Sequence, residues 1–134
     1  QRAGVYALVG DRRRLLACRL ARTGRWTLPG GGIDPDEQPD AALARELHEE
    51  TGLELAQARL IGVPTAHWTG RAPDGVVEDF HAVQLLYRAE VLPGEPRVVE
   101  VGGSTVEAAW FTVEELLGLP ITYVVRSGIE ALGG

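Results

Sequence analysis

Two hydrophobic periods alternate along the chain. Between Gly4 and Val9, Val5, Ala7 and Val9 alternate with Tyr6 and Leu8. A period of two predicts a strand, and apolar residues on both faces predict a sheet covered from both sides. Gly10-Asp11 marks a turn, and Leu15 to Leu20 reads as the next strand. Trp26-Thr27-Leu28 is a short extended piece leading into Pro29-Gly30-Gly31-Gly32 and a turn at Asp34-Pro35-Asp36. A period near 3.6 follows. Gln38-Pro39 opens a helix with proline in its tolerated first turn, and Gly52 closes it as a left-handed cap. Leu43, Ala44 and Leu47 share an arc that predicts contact with a core.

The second half repeats the strand period. Leu55 to Val63 predicts a strand ended by Pro64. A loop from Arg71 to Val76 carries the turn signature Pro73-Asp74-Gly75. Val77 to Val91 holds the longest predicted strand, with Gln84, Leu86 and Arg88 on one face and His81, Val83, Leu85, Tyr87 and Ala89 on the other. Pro93-Gly94-Glu95-Pro96 is a turn, Val98 to Val101 reads as a strand end, and Val106 to Phe111 is the last strand. Thr112-Val113-Glu114-Glu115 is a capping box for a short helix through Leu119. Ile121, Val125, Ile129 and Leu132 predict a final helix, weakened a little by Gly128. Strands around a central helix, with helices at the end, predict an α/β fold: a mixed sheet between helical layers.

Composition narrows the picture. The 134 residues suffice for one domain, read as 1–134. No apolar run reaches the length of a membrane span, and no signal-peptide pattern opens the chain. Gln1 is not a start methionine, which points to trimming or processing and leaves room for a short missing N-terminus. The single Cys18 excludes an internal disulfide, fits a reducing compartment such as the cytoplasm, and is expected to be a buried thiol. A formal net charge of −6 argues against broad nucleic-acid binding.

The chemistry gathers on the central helix. With Glu46 as origin at about 100° per residue, Glu49 falls at about −60° and Glu50 at about +40°. Three like charges so close repel one another, and a divalent cation would turn that repulsion into a binding site. Carboxylate oxygens select a hard ion, Mg²⁺ first and Mn²⁺ second. Ala42 shares the acidic side and is expected to leave room for a ligand. Arg45 precedes Glu49 by four residues and can hold its carboxylate. The preceding glycines let backbone approach a phosphate or a metal.

Gly31, five residues, Glu37, seven residues, then Arg45-Glu46-Leu47-His48-Glu49-Glu50-Thr51-Gly52-Leu53: this stretch resembles the Nudix box at every defined position. A chance match is roughly one in ten million or rarer, too rare to set against the family. The resemblance implies a Nudix-type α/β/α sandwich and a hydrolase that splits a diphosphate linkage in a nucleoside diphosphate joined to another moiety, X. Glu46, Glu49 and Glu50 match the metal-binding glutamates, Gly30 the position whose carbonyl completes the site, and Glu37 and Arg45 the supporting pair. Glu50 is the first choice of base. The family also makes a homodimer plausible. Two alternatives are a nucleotide-binding regulatory module without turnover and an RNA-end pyrophosphohydrolase. The intact glutamates disfavour the first, and the acidic balance the second.

The remaining candidates carry two readings each. Arg19 and Arg25 precede the glycines; the resemblance implies a substrate-phosphate contact near this place, and the other reading is surface ion-pair partners. Trp68 stacks on a nucleobase or packs under its loop; Trp26 is expected to be scaffold. His81 is expected to be a sheet histidine rather than a ligand, and Glu78 and Asp79 a solvated strand end. Glu100 and Glu107 are candidates for one acid recruited from outside the box. Neither the proline of some ADP-ribose cleavers nor the tyrosine of dinucleoside-polyphosphate cleavers stands at its place: Pro64 comes too early, and Trp68, Thr69 and Gly70 follow.

Overall fold

The computed structural model describes residues 3–64 and 83–133. The elements run β1 (Ala3–Asp11), β2 (Arg14–Leu20), β3 (Trp26–Thr27), β4 (Gly30–Gly32), α1 (Pro39–Thr51), β5 (Leu55–Gly62), β6 (Val83–Val91), β7 (Thr105–Phe111), α2 (Val113–Leu117) and α3 (Tyr123–Ala131). The strand order is β3-β2-β1-β6-β5, with β4 on β1 and β7 on β2. β1 runs parallel to β6 and antiparallel to β2 and β4, so the sheet is mixed.

β1 is the axis because both of its faces are apolar. Tyr6 and Leu8 turn to one side, where they join Leu28, Leu86 and, from the two later helices, Val113, Leu116, Val125 and Ile129. Val5, Ala7 and Val9 turn to the other and meet Leu16, Leu43, Leu47, Leu53 and Ala89. The sheet therefore lies between α1 and the α2–α3 layer, as the hydrophobic pattern predicts. No helix is long and apolar enough to cross a membrane.

Several boundaries shift, each for a physical reason. The Gly30–Gly32 segment is a strand, paired with Tyr6, Val5 and Gly4, rather than an open loop. Ala42 is fully buried in the α1-side core and does not line the acidic side. The inward arc of α1 runs from Ala42 through Glu50 and Leu47 to Thr51. Val98 to Val101 is not a strand. The amides of Val99 and Glu100 donate to Glu49 O at 2.9 and 3.0 Å, and that of Arg97 to Thr51 O at 2.8 Å. A helix end leaves its last carbonyls without partners, and this segment supplies them. Gly52, at φ 72°, turns the chain out of the helix as expected.

At the far end, the capping box of Thr112 and Glu115 forms as predicted, although its helix stops at Leu117 rather than Leu119. Ile121 precedes α3 instead of belonging to it, and bridges to Trp26. Trp26 is scaffold: it is 7% exposed and meets Phe111 edge-on at 4.8 Å. The loop 71–76 and the first part of the predicted long strand, 77–82, lie outside the described residues.

Gly128 explains why a glycine stands inside α3. A Cβ there would lie 3.0 Å from Leu8 Cδ1 and 3.1 Å from Leu28 Cδ1, so the helix rests directly on the sheet. Gly128→Val is expected to destabilise the fold by about 1–3 kcal/mol through overpacking, read as a lower urea midpoint with unchanged slope.

Candidate active site

Arg45 organises the acidic face of α1. Its Nε donates to Glu37 Oε2 at 2.8 Å and its Nη2 to Glu37 Oε1 at 2.9 Å, a bidentate pair. Nη1 donates to Glu46 Oε1 at 2.9 Å and to Glu49 Oε1 at 3.3 Å. Nη2 also donates to Gly32 O at 3.1 Å, tying the end of β4 to the helix. Glu37 is in turn fixed by the Asp34 amide, which donates to its Oε1 at 2.9 Å. The Arg45 hydrogen bonds, then that amide, hold the Glu37 carboxyl at about 2.

Glu46 and Glu50 form the inner part of the site. Glu50 is 6% exposed, and its Oε1 accepts the Gly30 amide at 2.9 Å. The two carboxyls are close enough to share a proton. Burial pushes both above the usual carboxylate range, Glu50 well above it, and the Glu46 charge pushes Glu50 further. The glycines make this approach possible. A Cβ on Gly31 would sit 2.6 Å from Glu46 Oε2, inside contact distance.

A family model of the NUDIX domain matches residues 1–128. The chain belongs to the Nudix hydrolase family. A MutT-like protein from Streptomyces ambofaciens is 48% identical over 133 residues, spanning 98% of this chain and 75% of that one. The nucleoside triphosphatase NudI of Klebsiella pneumoniae is 28% identical over 145 residues, spanning 99% of this chain and 97% of its own. Among solved structures, a MutT Nudix hydrolase from Burkholderia pseudomallei matches with a TM-score of 0.74 at 32% identity, over 96% of this chain and 95% of that one.

This Nudix hydrolase brings Glu37, Arg45, Glu46, Glu49, Glu50 and Gly30 together, but not the predicted arginines. Strand alternation puts Arg19 on the side of Leu15 and Ala17, the α2–α3 side, away from α1. Its Nε donates to Glu107 Oε1 at 3.0 Å, which also occupies that candidate acid. Arg25 Nη2 donates to Ile121 O at 2.8 Å, on the α3 side. Trp68, His81, Glu78 and Asp79 lie outside the described residues. Glu100 is exposed beside the end of α1, joined through its amide to Glu49 O.

One contributor went unread in the sequence. Asp34 Oδ2 lies 3.5 Å from Arg45 Nη2, and its three-residue spacing from Glu37 was the available signal. Cys18, buried as expected, sits within the field of Glu50 and Glu46; burial first, then those charges, pushes its thiol well up.

Nudix hydrolases use divalent metal ions, and the residues here fit one. A buried Glu50 beside a partly buried Glu46 favours a proton or a cation between the two carboxyls, and every donor is a hard oxygen. Among the described residues no three acidic, histidine or cysteine side chains already converge as a finished metal site. Arg45 Nη1, shared between Glu46 and Glu49, occupies one side of this cluster.

The pH dependence of the Arg45–Glu37 pair follows from its sign. A carboxyl held at about 2 rather than at its ordinary 4.5 contributes stability in full above pH 4.5 and loses it as pH falls toward 2. Urea melts across that window should show wild type losing stability more steeply than Glu37→Gln; parallel curves would contradict the pairing.

Proposed function

We propose that this chain hydrolyses the diphosphate linkage of a nucleoside triphosphate or a nucleoside diphosphate-X, with Mg²⁺ as its ion and Mn²⁺ as a substitute. The observation that carries this reading is the Glu46–Glu50 pair, with Glu50 buried, held in place by Arg45 and the Gly30 amide. Glu46, Glu49, Glu50 and the Gly30 carbonyl would hold the ion. Bound there, it would neutralise the diphosphate oxygens and acidify the attacking water.

The chain's own groups do the rest. Glu50 takes the proton of the water as the water oxygen attacks phosphorus. The new P–O bond replaces the bridging P–O bond, and the leaving phosphate departs with the electron pair. Products are a nucleoside monophosphate and phosphoryl-X, or pyrophosphate from a triphosphate. Arg45 and Glu37 position Glu46 without touching substrate. Among the described residues, Glu100, whose amide donates to Glu49 O, is a candidate acid to assist from outside the helix.

Triphosphates are the first class to test, because a nucleoside triphosphatase matches this chain over nearly its whole length. A nucleobase-stacking role for Trp68 belongs to the same proposal. The net charge of −6 favours small nucleotides over nucleic acid, and the free Cys18 favours the cytoplasm.

The test is a phosphate-release screen over nucleoside triphosphates, nucleotide sugars, ADP-ribose, NADH and dinucleoside polyphosphates, with Mg²⁺ and with Mn²⁺. Turnover of at least one class is expected, with kcat lower by about 10²–10⁴-fold in Glu50→Gln. Arg45→Lys, which cannot keep the bidentate geometry, should weaken metal affinity by about 10–100-fold. Full turnover in Glu50→Gln would sink the assignment, and tight nucleotide binding without turnover would favour the regulatory module.

A further inference from the structure

Among the described residues the sheet ends at β5. Among the described residues β5 pairs only with β6. Ala56 through Leu60 are exposed in succession, so both faces of the strand are open. Leu60, a large apolar side chain, is 50% exposed. Natural proteins cover such edges or charge them, because a free edge invites another strand. The one charge on β5, Arg59, is itself uncompensated. It stands directly opposite Arg88 on β6, and among the described residues neither makes an ion pair. Arg88 Nη1 is buried without a hydrogen-bond partner. Like charges facing each other across a ladder are destabilising. Among the described residues the edge lacks a strand and an anion at once.

We propose that a second copy of this chain supplies both, its β5 pairing antiparallel with β5 here about a two-fold axis through Ala58. A two-fold interface must be complementary to itself, and charge selects the register. Bulges between Leu55 and Gln57 and between Leu60 and Gly62 leave Gln57 to Leu60 as the regular stretch. With the axis at Ala58, Gln57 faces Arg59 of the second copy. Glu90 sits opposite Gln57 on β6, on the same face. Glu90 and the second copy's Arg59 are then two strand spacings apart, about 10 Å between Cβ atoms, within the joint reach of these side chains. Symmetry makes this pair twice. On the other face Ala58 meets its own mate and Leu60 covers Ala56. An axis through Arg59 would instead line up four guanidinium groups, and one through Gln57 would leave Leu60 uncovered. This interface stands whether or not the hydrolase reading does.

Sedimentation equilibrium of the full chain from about 10 µM to about 1 mM should show a monomer–dimer equilibrium, as a short ladder would give. Arg59→Glu sets like charge against Glu90 and should shift the protein to monomer; adding Glu90→Arg should restore the dimer. Independently, oxidised Ala58→Cys should give a disulfide-linked dimer, since directly paired strand residues have Cα atoms about 4.5–5.5 Å apart, within disulfide range. Cys18 is buried and does not compete. A wild-type chain that stays monomeric throughout overturns the proposal. So does a dimer indifferent to Arg59→Glu, or an Ala58→Cys variant that fails to cross-link.

Discussion

The guanidinium of Arg45 is the constraint on which the acidic site depends. Three glutamates reach it, along with the Gly32 carbonyl. Without a cation in their midst, carboxylates crowded on one helix face would splay apart. Arg45 prevents this from the side away from Glu50. It takes the outward oxygens of Glu46 and Glu49 and leaves Glu50 to the Gly30 amide. A planar fork with five donors can serve so many acceptors at once, and an ammonium cannot.

The fold delivers that arginine and its partners to one place. β1 is apolar on both faces and so is buried between two helical layers. It carries β4 along its first residues, which puts Gly30 and Gly31 beneath the helix. α1 lies on the Val5–Ala7 face, held there by Leu43 and Leu47. Glu50 falls inside the same buried arc, so packing the core and burying the acid are one event. The amides of Val99 and Glu100 then finish the helix end beside Glu49.

The acidic site was legible because it is local. Glu46, Glu49, Glu50 and Arg45 sit on one helix, where spacing alone sets their angles, and the glycine segment is tied to them by a short connection. The sheet was legible for the same reason: alternation from Val5 to Val9 and from Gln84 to Ala89 follows the faces that the core uses. What could not be read depends on how elements lean on one another. Ala42 sits beside Glu46 by angle, but the buried arc of α1 is wide enough to take it in. Val98 to Val101 is rich in β-branched residues like a strand, and the unmet carbonyls of another element claim its amides instead. Arg19 precedes the glycines in sequence, yet its strand position faces the opposite layer, and nothing local says which layer carries α1.

The central claim is that Glu46 and the buried Glu50 form a pair built to take a divalent cation. Calorimetric titration of Mg²⁺ and Mn²⁺ into the nucleotide-free protein tests it directly. Wild type should bind both ions, and Glu50→Gln should bind them far more weakly while keeping the circular dichroism spectrum of the folded chain. Equal metal affinity in wild type and folded Glu50→Gln would contradict the account.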